Sequence, residues 1–155
     1  MQPVSNVKSM PVGAISDRAF SQKLQVLMLG AAAGSERLYV NIDRLKPGAK
    51  SCKYHSHSMQ EEFFLVLAGS GLLRLEGREI DVKVGDFFAK PAGRGICHQF
   101  INTGEVVLEV LDVGLEVEDT AEYPDEGVRL DRARRMATRI DDGEPLPSWT
   151  SDPNA

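Results

Sequence analysis

The sequence predicts an all-β fold, an antiparallel barrel or double-sheet jelly roll, on three observations. Seven or eight short apolar stretches recur at near-regular spacing between residues 37 and 113. Fourteen glycines and eight prolines among 155 residues are many for a helical bundle and suit short strands joined by turns. No helical segment of ten or more residues separates the stretches, so a parallel sheet with crossover helices is disfavoured. The length fits one domain, and 42% apolar residues are enough to fill one core.

The elements follow in order. Residues 37–45 (RLYVNIDRL) alternate, with Leu38, Val40 and Ile42 on one face, and Pro47-Gly48 ends the strand with turn chemistry. Residues 63–68 are a continuous apolar run closed by Gly69-Ser70-Gly71. Stretches 72–75 and 79–84 flank Glu76-Gly77-Arg78 and predict a hairpin. Stretches 87–89 and 96–102 follow, with Pro91, Gly93 and Gly95 between them, and a turn at 102–105 leads into 106–113 (VVLEVLDV).

Charge divides the chain. Residues 1–115 carry 13 basic and 12 acidic side chains, whereas 116–155 carry 5 basic and 11 acidic ones. The first part is expected to be the barrel, with an N-terminal strand segment. The second is an acidic C-terminal tail, rich in proline, with room for a short amphipathic helix at 131–139. Tyr123, Val128, Leu130, Met136, Ile140, Leu146 and Trp149 recur through the tail. Such groups offset an ordering cost of about 1–2 kcal/mol per residue only by covering a surface. Part of the tail should therefore pack on the barrel or a partner subunit, anchored by Trp149 or Tyr123.

A net charge of −5 argues against a nucleic-acid partner held through phosphates. The longest apolar stretch, 24–33 (LQVLMLGAAA), is half a membrane span, and MQPVSNVKSM lacks the pattern of a signal peptide. A cytoplasmic protein with no membrane partner is the expectation. Cys52 and Cys97 are too few for a disulfide framework, and a reducing cytosol disfavours pairing them. Cys97 reads as a small buried side chain and Cys52 as structural or exposed. Open sheet edges predict a homodimer, with residues 26–29 and the tail as candidates for crossing between subunits.

The chain has three histidines: His55, His57 and His98. On a strand, the i, i+2 spacing of His55 and His57 puts both imidazoles on one face. Glu62 follows five residues after His57 at the head of an apolar strand, with Glu61 beside it on the opposite parity. Imidazoles and a carboxylate are ligands for Zn, Fe, Mn, Ni or Cu.

In this arrangement the sequence resembles a known family. Gly48-(six residues)-His55-Ser56-His57-(four residues)-Glu62-(six residues)-Gly69 resembles the first cupin motif, and Gly85-(five residues)-Pro91-Ala92-Gly93-(four residues)-His98-(three residues)-Asn102 resembles the second. The Gly48–His55 gap is one residue longer than the usual pattern and the Gly93–His98 gap two longer, both in turns, where insertions cost little. The flanking sequence and the acidic tail are similar to small single-domain bacterial cupins. The resemblance implies a cupin jelly roll, the double-stranded β-helix. It also implies one divalent transition metal per chain (Fe, Mn, Zn or Ni) held by His55, His57, Glu62 and His98, with one or two coordination positions open.

Strand parity places Phe64 and Val66 beside Glu62 and Phe100 beside His98, predicting a mostly apolar pocket for a small-molecule ligand. Tyr39 and Arg44 are candidates for its mouth. The leading expectation is a metal-dependent enzyme of dioxygenase, isomerase or lyase type acting on a small organic metabolite. Its base would come from Glu61, a tyrosine or hydroxide on the ion. No second ionisable cluster stands out to choose among these. The rival is a non-catalytic binding or sensing module in which the metal anchors the ligand.

Overall fold

The computed structural model describes residues 4–16 and 23–154. Strands β1 (Ile15–Ser16), β2 (Leu24–Met28), β3 (Leu38–Leu45), β5 (Glu62–Ala68), β8 (Phe87–Lys90) and β10 (Leu108–Leu115) form one antiparallel sheet in the order β1-β2-β3-β10-β5-β8. Opposite it, β6 (Ser70–Leu75) pairs with β7 (Arg78–Lys83) and β9 (His98–Ile101). A further sheet runs β13 (Met136–Arg139), β12 (Val128–Asp131), β11 (Thr120–Tyr123) and β4 (Ser56–His57). The two smaller sheets meet where His55 bridges His98, so together they make the second wall of a jelly roll. Among the described residues, the longest helical piece is α1 (Leu29–Ala33), which continues directly from β2. Among the described residues no helix is long and apolar enough to cross a membrane.

The local chemistry explains the turns. In the β6–β7 hairpin, Glu76 and Gly77 have φ of 49° and 74°, the double positive φ that a tight two-residue turn needs. At Gly69 (φ 75°) a Cβ would stand 2.6 Å from the Val107 carbonyl oxygen, so only glycine lets the chain pass there. Asn102 is fully buried, donates from Nδ2 to the carbonyls of Leu45 and Val106 at 2.8 Å each, and accepts from the Gly104 amide. It ties three segments together at the end of β9.

The main core lies between the walls: Leu24, Leu45, Phe64, Leu73, Phe100 and Leu108 are its larger members. The helix expected at 131–139 is absent. Instead the chain turns back after Asp131, whose carboxylate accepts from the Arg134 amide, and runs antiparallel as β13. Pairing with β12, itself laddered to β11, overrides a weak helical preference because each strand residue gains ladder bonds and a place over a second apolar cluster. That cluster comprises Ala121, Tyr123, Val128 and Ala137, with Leu130, Leu146 and Trp149 against it.

Candidate metal centre

His55 and His57 flank Ser56 on the strand edge that pairs with β11, and both are buried. What stands behind each ring decides which nitrogen faces the cavity. His55 Nδ1–H donates to the Lys53 carbonyl at 2.7 Å, and His57 Nδ1–H donates to Asp119 Oδ2. Asp119 also accepts from the Ser58 hydroxyl and from the Met59 and Gln60 amides. Burial alone would raise its pKa. These hydrogen bonds, His57 foremost, outweigh that and hold the carboxyl well below the usual range. When both rings are neutral, their Nε2 lone pairs face each other 2.9 Å apart. Two lone pairs at that distance repel unless a cation lies between them. Burial, then the Lys90 charge, keeps His55 well below its ordinary value, so protonation of that ring is opposed.

Glu62 on β5 brings Oε1 to 3.5 Å from His57 Nε2. One ligand atom each from His55, His57 and Glu62 lies within 4.8 Å of the others. Glu62 Oε2 is buried and paired with the Lys90 ammonium 2.5 Å away. Two oriented imidazoles, a carboxylate and nearby apolar rings are the donor set and setting of a divalent transition metal. His98 lies on the same wall, its ring centroid 5.0 Å from that of His55, but its Nδ1 is engaged by Lys90 Nζ at 2.9 Å. Burial and then Lys90 lower its pKa. Glu61 is exposed on the opposite strand face and lines no part of the cavity.

The cavity measures about 370 Å³. Phe64 and Phe100 line it, as parity implies, and so does Tyr39. The expectation of a mostly apolar pocket without a second ionisable cluster is overturned, because Tyr39, Asp43 and Asp112 also face inward. The reason lies in β3: its apolar side, Leu38, Val40 and Ile42, turns outward, and Tyr39, Asn41 and Asp43 turn in. Alternation in 37–45 marks two faces but not which is the core face. Tyr39, Gly114, Glu62 and Lys90 stand in one register row across β3, β10, β5 and β8.

Tyr39 Oη lies 2.8 Å from both Glu62 Oε1 and Asp112 Oδ1. A phenol has one proton to donate, so one of these carboxyls must donate in return. Burial, then Asp43 and Glu62, raises Asp112 well above its usual range, so Asp112 is that donor. Burial with the Glu62 charge pushes Asp43 up to about 7, and burial raises the Tyr39 phenol strongly.

Other residues fall outside the centre or join it from the tail. Arg44 points outward to Glu109 at 2.7 Å and Gln25 at 3.0 Å, away from the mouth. Lys53 pairs with Glu126 and lies over the Trp149 ring. Both cysteines are free. Cys97 is buried, while Cys52 lines the cavity with its thiol pushed up to about 12 by burial. From the tail come Tyr123, stacked on His55 at 5.3 Å, and Arg132, whose guanidinium donates to Gln60 Oε1 at the rim. The sequence names Tyr123 as a candidate tail anchor but does not tell that it meets His55, and nothing in the tail's pattern marks Arg132.

Residues 41–114 match the Cupin domain family. The chain is 33% identical to a sugar phosphate isomerase of the cupin superfamily from Silicibacter pomeroyi, with a TM-score of 0.81 over 94% of this chain and 98% of that one.

The chain belongs to the cupin superfamily.

Over 77 residues this cupin is also 32% identical to an oxalate-binding protein of Thermotoga maritima, covering 50% of this chain and 60% of that protein. A predicted oxalate decarboxylase of Thermotoga maritima is 25% identical, with a TM-score of 0.53 over 61% of this cupin and 81% of that chain.

Proposed function

We propose that this cupin is a metal-dependent enzyme of isomerase type acting on a small, polar organic metabolite. One observation carries the reading: the hydrogen-bonded series Asp112–Tyr39–Glu62, with Asp43 beside it, faces the same cavity as the paired imidazoles. His55, His57 and Glu62 would hold a divalent ion, with His98 on the same wall. The ion supplies Lewis acidity, lowering the cost of negative charge on a substrate oxygen. Moving a hydrogen between neighbouring carbons also needs groups that give and take protons near pH 7. Tyr39 Oη keeps its proton and orients Glu62 at the cavity wall, with Asp112 donating to it from behind. Asp43 is poised between its two protonation states.

The likeness to a sugar phosphate isomerase along nearly its whole length supports this choice over dioxygenase or lyase chemistry. The 32% match to an oxalate-binding protein favours a second reading, in which the ion only anchors an organic anion. One experiment separates them. Protein loaded in turn with Mn, Fe, Zn or Ni is incubated in D₂O with a panel of sugar phosphates and small keto and hydroxy acids. Proton NMR should show loss of a substrate C–H signal by exchange, abolished in Tyr39→Phe. Binding without exchange on every member would overturn the isomerase reading and leave the anchor, and oxygen consumption would mark a dioxygenase.

We also propose that the outward face of the larger sheet pairs with a second copy. Ile42, Leu111, Leu65 and Phe87 form one cross-strand row there, and Val40, Val113, Phe63 and Ala89 the next. Phe87 is 69% exposed. Two such faces can stack about 10 Å apart. Light scattering should give a dimer mass, and Leu65→Asp with Phe87→Asp a monomer; a monomeric wild type would refute the pairing.

A further inference from the structure

We propose that Lys90 makes the centre a three-ligand one: it withholds His98 from the ion and leaves that imidazole as a hydrogen-bond donor to the cavity. The inference rests on the proposed metal centre and deepens it. Lys90 is 1% exposed and among the largest fully buried side chains of the protein. Its position follows from the sheet, since Lys90 is paired in register with Glu62 across β8 and β5, and both side chains enter from the same face.

The assignment follows from donor counting. An ammonium has donors and no acceptor, so across the 2.9 Å contact it must donate to His98 Nδ1. A neutral ring that accepts at Nδ1 carries its proton on Nε2, and a nitrogen bearing a proton has no lone pair for a metal. The other two rings are set the opposite way, because a carbonyl stands behind His55 and a carboxylate behind His57. Three imidazoles along one wall thus take two tautomers. His98 correspondingly stands apart from the group of ligand atoms that His55, His57 and Glu62 bring within 4.8 Å. The same ammonium holds Glu62 at Oε2, so that Oε1 alone faces His57. Lys90 is therefore a positioning residue that fixes how many ligands the ion has.

Two measurements test this. Long-range ¹H–¹⁵N NMR of the chelator-treated wild type reads each ring's tautomer, with Nε2–H expected for His98 and Nδ1–H for His55 and His57. Nδ1–H on His98 would overturn the inference. The second is calorimetric titration with Zn²⁺ of wild type, His98→Gln, Lys90→Met and the double variant, with His57→Ala as the non-binding control. His98→Gln should change affinity less than threefold. Lys90→Met should free His98 as a ligand and tighten binding by more than threefold, and the double variant should lose that gain. A larger loss in His98→Gln, a gain under threefold in Lys90→Met, or a gain that survives in the double variant would each overturn it. If Lys90→Met does not fold, Lys90→Gln is read by the same criteria. Should wild type bind no Zn²⁺, the metal centre fails and this inference with it. Zn²⁺ binding by wild type together with Nδ1–H on His98 sinks this inference alone.

Discussion

Replacing Gly114 by alanine probes whether the Tyr39 ring is held across the cavity by the sheet itself. A Cβ at position 114 would stand 2.5 Å from Tyr39 Oη and 2.6 Å from Cζ. Non-bonded carbons settle at about 3.5–4.0 Å, so something must move by about 1 Å. β10 is paired on both sides, with Tyr39 and Glu62 opposite Gly114, and cannot yield. The ring can swing, but only by giving up its contacts to Glu62 and Asp112. Hydrogen bonds to charged groups contribute about 1.5–3 kcal/mol, and overpacking costs about 1–3 kcal/mol. The molecule takes the cheaper route, so Gly114→Ala should lose about 1–3 kcal/mol. For a chain of this length that lowers Tm by about 2–12 °C in a calorimetric scan. In a Tyr39→Ala background the same substitution should cost almost nothing, because the clashing ring is gone. Proton exchange should fall in Gly114→Ala, as it should in Tyr39→Phe. A Gly114→Ala melt within about 1 °C of wild type, or additive losses in the double variant, would refute the reasoning.

Asp119→Asn removes the charge behind His57 and should weaken metal binding by about 10–100-fold in a calorimetric titration; unchanged affinity would show that the ring needs no such partner. Asp43 has a folded pKa of about 7 against an ordinary value of 3.8, so between those values folded wild type holds a proton that the unfolded chain has released, and its stability falls as pH rises. Asp43→Asn lacks this penalty. In chelator-treated protein its advantage should grow from about pH 4 to 7, towards about 4 kcal/mol, and stay flat above; an advantage independent of pH would refute it. Trp149 donates to Glu126 and its ring lies 4.7 Å from that of Tyr123. Its fluorescence should be blue-shifted from free indole and partly shielded from acrylamide, and emission like that of free indole would mean the tail is not seated.

Much of the strand framework was legible because turn chemistry is local. The prolines and glycines that end 37–45, 63–68 and 72–75 act on their own neighbours, and β3, β5, β6 and β7 begin and end within two residues of those signals. The run 24–33 was less legible, being apolar at every position but Gln25 and without a period to separate β2 from α1. The hairpin β12–β13 was not legible because its strands are four residues long and 131–139 (DRARRMATR) shows no alternation, while its arginines and alanines favour helix; the ladder of β12 to β11 settles the outcome.

What the sequence determined by itself was the strand order along the chain, the paired histidines on one strand face and the carboxylate at the head of β5. Each rests on residue spacing of period two or on a turn, and both are properties of the covalent chain. Only the tertiary structure decided which face of β3 looks inward, and so that Tyr39 and Asp43 join Asp112 at the cavity. It alone placed Asp119 behind His57, Tyr123 over His55, and Lys90 between Glu62 and His98. These contacts join residues 8 to 68 positions apart. Their geometry is set by sheet register and wall-to-wall packing, which the chain acquires only on folding.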